Sequence, residues 1–412
     1  MSPDKKAVGA RLREVREAPP YWSRAELARL LRAAADPRDR VNMPHVPSLV
    51  TMIKQWESGK WLPNPRYRVL YARVTGLSED ELFGAAREPA AEVVPLLADH
   101  TPLNGRPADS GFVESIRESS QALVRLDAVH GADDILNLAL RVFHRAHHKL
   151  ATGAYTAAIE RDFMAAAGEA GEVAAWLAYD ADEQDVSRHA IQEALLLSRQ
   201  AGDRDMELFE LTHLAMQAVH LHRPGEALRI TTSLFDGDLS PRVTALLNIR
   251  KGRALAQLGR GGEALDTLGR ARAALLDGVT GRDSSWTWWI TDSEVLWHTG
   301  MAHADLGDWP AAVPLLRESA DLRVGFRRAH YNDQVHLLNA LAHVGDWREA
   351  ESVLTEVAGI LGEVGSARTT NLLRRLTRRI VNADPPSTVA DLARTVHLSL
   401  TGEDGGTGLA LR

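Results

Sequence analysis

The sequence predicts an all-α protein made of a compact five-helix domain followed by an α-solenoid. Apolar residues recur at intervals of three and four along almost every segment, which is the period of an amphipathic helix, and no stretch alternates as a half-buried strand would. Small residues and glycine-containing turns also recur in the second half of the chain, which indicates stacked helical pairs. The expected parts are 1–84, the N-terminal domain; 85–110, a linker; 111–383, the solenoid; and 384–412, a turn-rich, loosely held tail.

The first two helices are defined by apolar spacing and one capping motif. Residues 5–17 form an amphipathic helix. Ser23 and Glu26 make a capping box, in which the hydroxyl and the carboxylate each accept a hydrogen bond from a backbone N–H at the helix start. A second helix therefore runs from there to about Ala35. The polar stretch Asp36–Val46 follows as a loop.

The third helix starts near Pro47 and ends at Gly59, residues that suit a first helical turn and a helix C-terminus. Its apolar stripe is Leu49, Ile53 and Trp56. Stacking on a single-stranded base is an alternative role for this tryptophan, but its place on the stripe favours core packing. Two shorter helices, indicated by proline and capping signals, complete the domain: Pro65–Val74 and Ser78–Phe83.

Several motifs of this domain occur in a fixed order. They are Gly9-x-Arg11-Leu12-Arg13-x-x-Arg16, Ser23-Arg24-x-Glu26-Leu27-Ala28, Ile53-x-x-Trp56-Glu57-x-Gly59-x-x-x-Pro63 and Leu77-x-x-x-Glu81-Leu82. With these motifs the domain resembles the Xre-type, lambda-repressor-like helix-turn-helix family, whose recognition helix enters the DNA major groove. The chain departs from the family at Asp36–Val46, an insertion before the recognition helix, where Arg38 or Arg40 could add a phosphate contact.

Charge also points to DNA as the partner of this domain. Residues 1–75 hold 15 lysines and arginines and 7 acidic residues, a net charge of +8, whereas the whole chain carries −7. A basic head on an acidic body indicates that the head binds a polyanion. The alternative is a solvated basic surface that has no partner. Outward residues of the third helix can reach base edges, and the start of the second helix suits a phosphate. The predicted DNA contacts are Ser23, Arg24, Ser48, Thr51, Lys54, Gln55 and Lys60.

The rest of the chain contains a repeated helical hairpin. Each copy has an alanine after the turn and, twelve residues earlier, a residue that is small in five copies of six, so that two helices can touch closely. The pattern resembles the tetratricopeptide repeat, in which the first helices of the pairs line a concave face. The facing residues are Ala146 with Ala158, Ala178 with Ala190, Ala215 with Ala227, Gly252 with Ala264, Gly300 with Ala312, and Leu338 with Ala350.

The concave face is the expected ligand site, because its inward positions combine aromatic and polar side chains. Trp286 and Trp288 lie in an enlarged 48-residue spacing between two copies, where filling the gap is the alternative to ligand contact. The predicted ligand-binding residues are Arg253, Glu294, Trp297, Met301, Asn332 and Asn339.

Composition and motifs exclude several other classes. The chain has no cysteine, which excludes disulfides, cysteine zinc sites and thiol catalysis. No apolar run approaches the ~18 residues that cross a bilayer, so no membrane association is expected. We find no catalytic motif and expect neither an enzyme nor a cofactor. His144, His147 and His148 have metal-ligand spacing, but no neighbouring carboxylate completes the site, so no metal is expected.

The layout as a whole resembles actinobacterial regulators that join an Xre-type head to a tetratricopeptide body. The resemblance implies a cytoplasmic, sequence-specific transcriptional regulator. It would bind a palindromic operator in double-stranded DNA as a homodimer and respond to an unidentified peptide or small-molecule effector. The alternative is a protein-interaction adaptor whose solenoid binds a partner and whose head has lost DNA specificity.

Overall fold

The structure is a computed structural model of the 412-residue chain, and it describes residues 5–18, 21–35, 43–75, 77, 82–83, 107–235, 239–276, 283–323 and 326–401. Apart from two isolated β-bridges, the regular secondary structure of these residues is helical, so the predicted all-α class is confirmed. None of the helices in these ranges combines the length and the apolar composition that crossing a bilayer requires.

We number the α-helices of the described residues in chain order. They are α1 (Lys5–Glu17), α2 (Arg24–Ala33), α3 (Val46–Glu57), α4 (Pro65–Thr75), α5 (Ser110–His130), α6 (Leu136–Ala151), α7 (Glu160–Asp180), α8 (Gln184–Ala201), α9 (Arg204–His220), α10 (Pro224–Ser233), α11 (Pro241–Gln257), α12 (Gly261–Leu276), α13 (Asp292–Asp305), α14 (Trp309–Leu322), α15 (Arg327–Val344), α16 (Trp347–Gly359), α17 (Ala367–Asn382) and α18 (Ser387–Thr401). Two short 3₁₀ helices lie at Ala157–Ile159 and Ser285–Trp289.

The chain divides into two compact units whose borders differ from the predicted ones. The head unit consists of Met1–Glu92, Asp238–Ala245 and Arg272–Thr291. The repeat unit consists of Val93–Gly237, Leu246–Ala271 and Asp292–Arg412. Each part predicted from the sequence, by contrast, is one continuous stretch of the chain. Most of the predicted linker 85–110 lies outside the described residues, as do Arg38 and Arg40 of the insertion.

In the head unit, α1 to α4 pack around one apolar core. Leu12, Leu49 and Ile53 are fully buried, and the Trp56 ring packs against the rings of Tyr67 and Tyr71. Trp56 is therefore a core residue, as its place on the apolar stripe predicted. The capping box at the start of α2 is also present, with Ser23 Oγ accepting from Glu26 N at 3.1 Å and Glu26 Oε2 accepting from Ser23 N at 2.7 Å.

Gly9 explains why the first motif of the head requires a glycine. A Cβ at this position would lie 2.7 Å from the carbonyl oxygen of Trp56 and 2.8 Å from that of Glu57. Backbone cannot move away from such an overlap as a flexible side chain can. The glycine thus allows α1 to approach the C-terminal end of α3 closely.

The repeat unit is built from helical pairs that touch through small residues. Five of the six alanines predicted for these contacts are buried: Ala190, Ala227, Ala264, Ala312 and Ala350. The sixth assignment is wrong. Ala158 is exposed in a 3₁₀ helix, because it lies in the connection between the second helix of one pair, α6, and the first helix of the next, α7.

The two ends of the repeat unit meet, which the sequence did not predict. Helices α5 and α7 from the beginning of the unit pack against α15 and α17 from its end. At the junction, Gly131 and Gly365 form an isolated parallel β-bridge, and Asp133 Oδ1 accepts a hydrogen bond from Ala367 N at 3.0 Å. The concave face expected of an open solenoid is therefore enclosed as an interior.

The prediction of a loosely held tail is wrong for Ser387–Thr401, which forms α18. This helix buries Val389, Ala393 and Val396 and packs against α16 and α17. Proline and glycine residues on either side of it indicate turns, and in the prediction they outweighed the helical spacing of its own apolar residues. Residues 402–412 lie outside the described part of the chain.

Replacing Gly300 by alanine tests the close approach of α13 and α14. The new Cβ would lie 2.8 Å from Leu316 Cγ, an overlap that we expect to cost about 1–3 kcal/mol and to exceed the ~1 kcal/mol that alanine contributes through helix propensity. Gly269→Ala is the matched control, because nothing lies within 4 Å of its Cβ and the change should stabilise the protein. Urea unfolding of both variants gives the comparison, and equal stabilities would contradict the packing described here.

Candidate functional site in the interior of the repeat unit

The interior of the repeat unit is lined by the first helices of the pairs, which bring aromatic rings and arginines together. Each of three rings has a guanidinium over its face, an arrangement that is stronger away from water. The distances to the ring centroids are 4.8 Å for Arg328 over Trp176, 5.0 Å for Arg368 over Tyr179 and 5.7 Å for Arg253 over Trp297.

One group of interior charges is centred on Glu294 of α13. Its carboxylate accepts a hydrogen bond from Arg323 Nη2 at 2.5 Å and lies 3.0 Å from His298 Nε2. Burial opposes ionisation of Glu294, but the positive charge of Arg323 and the hydrogen bond of His298 outweigh it and hold its pKa below the ordinary value. On its other side, Arg323 Nη1 donates to Asp333 at 3.3 Å. The result is a charge network across α13, α14 and α15.

A second group of charges joins the two ends of the repeat unit. Arg368 Nη2 donates to Asp180 Oδ1 at 2.9 Å, and Arg328 lies 3.1 Å from Asp127. Trp176 Nε1 also donates to Asp127, at 3.0 Å. Because Asp127 and Asp180 lie near the start of the unit and both arginines lie near its end, these contacts close the ring of helices.

Three histidines of this interior have pKa values well below the ordinary one, which favours their neutral form near pH 7. Burial lowers the pKa of His298 and His336 to about 3 and that of His220 to about 4. Beyond burial, the positive charges of Arg368 and Arg253 also disfavour the protonated form of His336. Three polar groups surround the His298 ring: Glu294 and Arg250 Nη1 lie 3.0 Å and 3.1 Å from its Nε2, and Arg253 Nη1 lies 3.4 Å from its Nδ1.

Several buried polar atoms of the interior helices have no hydrogen-bond partner among the described residues. They include Trp297 Nε1, His213 Nε2 and Gln217 Oε1. Most buried polar atoms in proteins form hydrogen bonds, so an atom that forms none needs a physical explanation. Donors and acceptors that remain open beside aromatic rings and arginines suit a ligand with both polar and apolar groups.

The residues predicted to bind a ligand are only partly brought together. Arg253 is buried, pairs with Asp305 and packs over Trp297, while Glu294 joins the same region through His298. Asn332 is buried and joins the same charge network, because its amide donates to Asp333 Oδ1, which also accepts from Arg323. Met301 packs beside the apolar core, as Trp297 does, and Asn339 is half-buried with its carbonyl accepting from His343 and Arg379.

Sequence reasoning missed Asp180, Arg368, Tyr179, His298 and His336. The four-residue spacing of Glu294 and His298 was the one local signal available, since it puts both side chains on one face of a helix. The contact of Arg368 with Asp180 spans 188 residues. It depends on closure of the unit, which no local pattern records.

In the head unit, the predicted DNA-contacting residues are exposed or half-buried. Ser48, Thr51 and Lys54 are exposed on α3, opposite its buried stripe, and Gln55 is half-buried beside them. Ser23 and Lys60 are exposed as well. Arg24 is partly engaged inside the domain, because its Nε donates to the buried carboxylate of Glu57 at 2.7 Å while about 36% of its side chain stays exposed.

The tryptophans of the enlarged repeat spacing have separate positions. Trp286 is buried in the head unit rather than in the repeat interior, which favours the packing alternative. The side chain of Trp288 lies outside the described set.

Comparison with known proteins finds structural neighbours but no match by sequence. No protein-family model matches the chain. No curated protein matches it either. A solved structure described as "Crystal Structure of Rap Protein Complexed with Competence and Sporulation Factor" has 10% sequence identity and a TM-score of 0.47, and the match covers 73% of this chain and 89% of that one. At this level the likeness concerns only the arrangement of helices.

Replacing Arg368 by methionine tests the contact that closes the repeat unit. Removing Arg368 leaves the fully buried Asp180 with the more distant Arg328, whose Nη1 is 3.8 Å away, and we expect a loss of about 3 kcal/mol in the free energy of unfolding, the lower end of the range for a broken buried pair. The control is Arg394→Met, whose ion pair with Asp391 is exposed and should contribute less than about 1 kcal/mol.

Chemical denaturation measures both variants and the double variant Arg368→Met, Asp180→Asn. The double variant should recover part of the loss, because the buried charge is removed together with its partner. Equal stabilities of Arg368→Met and Arg394→Met would show that closure does not depend on this pair.

Proposed function

We propose that this protein is a ligand-responsive regulator whose head unit binds double-stranded DNA and whose repeat interior binds the effector. The observation that carries the DNA part is the exposed polar face of α3, opposite the buried Leu49, Ile53 and Trp56, in a region with a net charge of +8. A helix of this kind fits the major groove, and its outward side chains reach base edges.

Side-chain chemistry separates the residues of the head that would contact bases from those that would contact phosphates. Gln55 can hydrogen-bond an adenine with both ends of its amide, and Lys54 can reach a guanine or a phosphate. Ser23 and Arg24 lie at the start of α2, where backbone N–H groups and a cation favour a phosphate oxygen. One head reads only a half-site, so a homodimer on a palindromic operator is part of the proposal.

The effector part is supported by the interior of the repeat unit. Aromatic rings under guanidinium groups, neutral histidines and open buried donors and acceptors lie on several first helices of the repeat unit. This combination fits a short peptide or a small amphipathic molecule. A ligand shared by several helices changes the relative stability of two arrangements of the unit only by its difference in affinity for them.

A protein-interaction adaptor is the second candidate, and one observation favours it. Arg24, the strongest phosphate candidate of the head, already donates to Glu57 within the domain. The repeat interior is the more elaborately built binding region of the described chain. An adaptor would use that region without needing sequence-specific DNA contacts.

A salt titration of DNA binding, followed by base-contact variants, separates the two candidates. With three or four phosphates neutralised per subunit, log K for a dimer should fall with log[salt] at a slope of roughly −5 to −7. Lys54→Ala and Gln55→Ala should each cost about 1–3 kcal/mol on a duplex selected from a random library and little on random DNA. Arg348→Ala, exposed on α16, is the control. Absence of binding at every salt concentration would reject the DNA part and favour the adaptor.

The effector part is tested by screening synthetic short peptides and metabolites for a thermal shift of the full chain. Calorimetric titration of each hit should give an affinity at least about tenfold lower for Trp297→Ala, since loss of a buried aromatic anchor is costly. Trp61→Ala, an exposed residue of the head unit, should leave the affinity unchanged. A hit that binds Trp297→Ala as tightly as the natural chain lies outside the proposed interior.

A further inference from the structure

A buried arginine from the middle of the chain contacts the second helix of the DNA-binding head. Arg242 lies in the first turn of α11 and belongs to the head unit, and only 6% of its side chain is exposed. Its Nη2 donates to Glu26 Oε1 at 2.6 Å across 216 residues of sequence. Two further bonds fix its position within the unit, from Nη1 to the Thr287 carbonyl at 3.2 Å and from its backbone N to Asp283 Oδ1 at 3.2 Å.

Glu26 completes the capping box at the start of α2. Its Oε2 accepts the hydrogen bond from Ser23 N that completes the capping box, so the oxygen that faces Arg242 is the other one of the same carboxylate. This carboxylate therefore lies at the helix terminus where a phosphate is proposed to bind. Left without a counter-charge, it would repel that phosphate, because both groups are anionic.

We propose that Arg242 is a positioning residue for DNA binding, holding Glu26 in the capping box and cancelling its charge at the start of α2. This inference rests on the proposed DNA contact of the head. Arg242 does not itself bind a phosphate, since it is buried and its guanidinium donates to Glu26 and Thr287. Its role thus differs from that of Arg24, whose side chain is partly exposed beside the same turn.

The experiment measures binding of the full-length protein to a random-sequence DNA duplex over a range of salt concentrations. Arg242→Met keeps the apolar bulk of the side chain and removes its charge, and it should weaken binding about two- to fivefold, the effect of one charge near a helix terminus. The salt slope should stay unchanged, because no phosphate contact is lost. Arg24→Ala, by contrast, should flatten the slope by about 1.

Two further variants identify Glu26 as the group through which Arg242 acts. Glutamine also completes a capping box, so Glu26→Gln keeps the helix start and removes the charge. The double variant Arg242→Met, Glu26→Gln should return to within about twofold of the natural affinity, and Arg242→Lys should retain most of it. Thermal unfolding of every variant checks whether it is folded. If Arg242→Met does not fold, the test depends on Arg242→Lys and Glu26→Gln.

The outcomes separate this inference from the function on which it rests. If the natural chain does not bind the duplex at any salt concentration, the proposed DNA function fails. If it binds and Arg242→Met either flattens the salt slope or loses the same affinity with glutamine at position 26, Arg242 contacts DNA directly or acts by another route. Either result overturns the positioning role.

Discussion

The buried ion pairs that join the beginning of the repeat unit to its end are the contacts from which the form of this unit follows. A solenoid of helical pairs has contacts only between neighbours, and its two ends are normally independent. Here a fully buried carboxylate near the beginning of the unit meets an arginine near its end, and the Tyr179 ring lies under the same guanidinium. The concave face of the repeat is enclosed as a consequence, so its polar groups lose most of their contact with water.

Enclosure explains the unusual chemistry of the interior. Charges removed from water are costly unless they are paired, and Glu294, Arg323 and Asp333 meet this condition by forming one network. Histidines respond differently, by remaining neutral. The interior thus combines fixed guanidinium charge with neutral hydrogen-bonding rings. Such a surface discriminates between ligands by the placement of their polar groups, since a mismatch leaves a buried group unsatisfied.

In the head unit, acidic side chains that are removed from water are likewise paired with arginines. Glu57 is buried at the end of α3 and accepts hydrogen bonds from Arg16 and Arg24, which fixes three helices around one carboxylate. Glu26 has an equivalent position at the start of α2, with Arg242 as its partner. In both cases an acidic residue of a short motif is paired with an arginine from elsewhere in the chain.

The sequence by itself determined the helical class, the capping box at Ser23 and Glu26, the buried stripe of α3 and five of the six small contacts between paired helices. Each of these depends on spacing within a few dozen residues, and the physical rules for such spacing are local. Closure of the repeat unit, the partners of Asp180 and the contact of Arg242 with Glu26 were decided by tertiary structure alone. They join residues about 190 to 220 positions apart, and a single charged side chain looks the same in sequence whether its partner is water or a buried carboxylate.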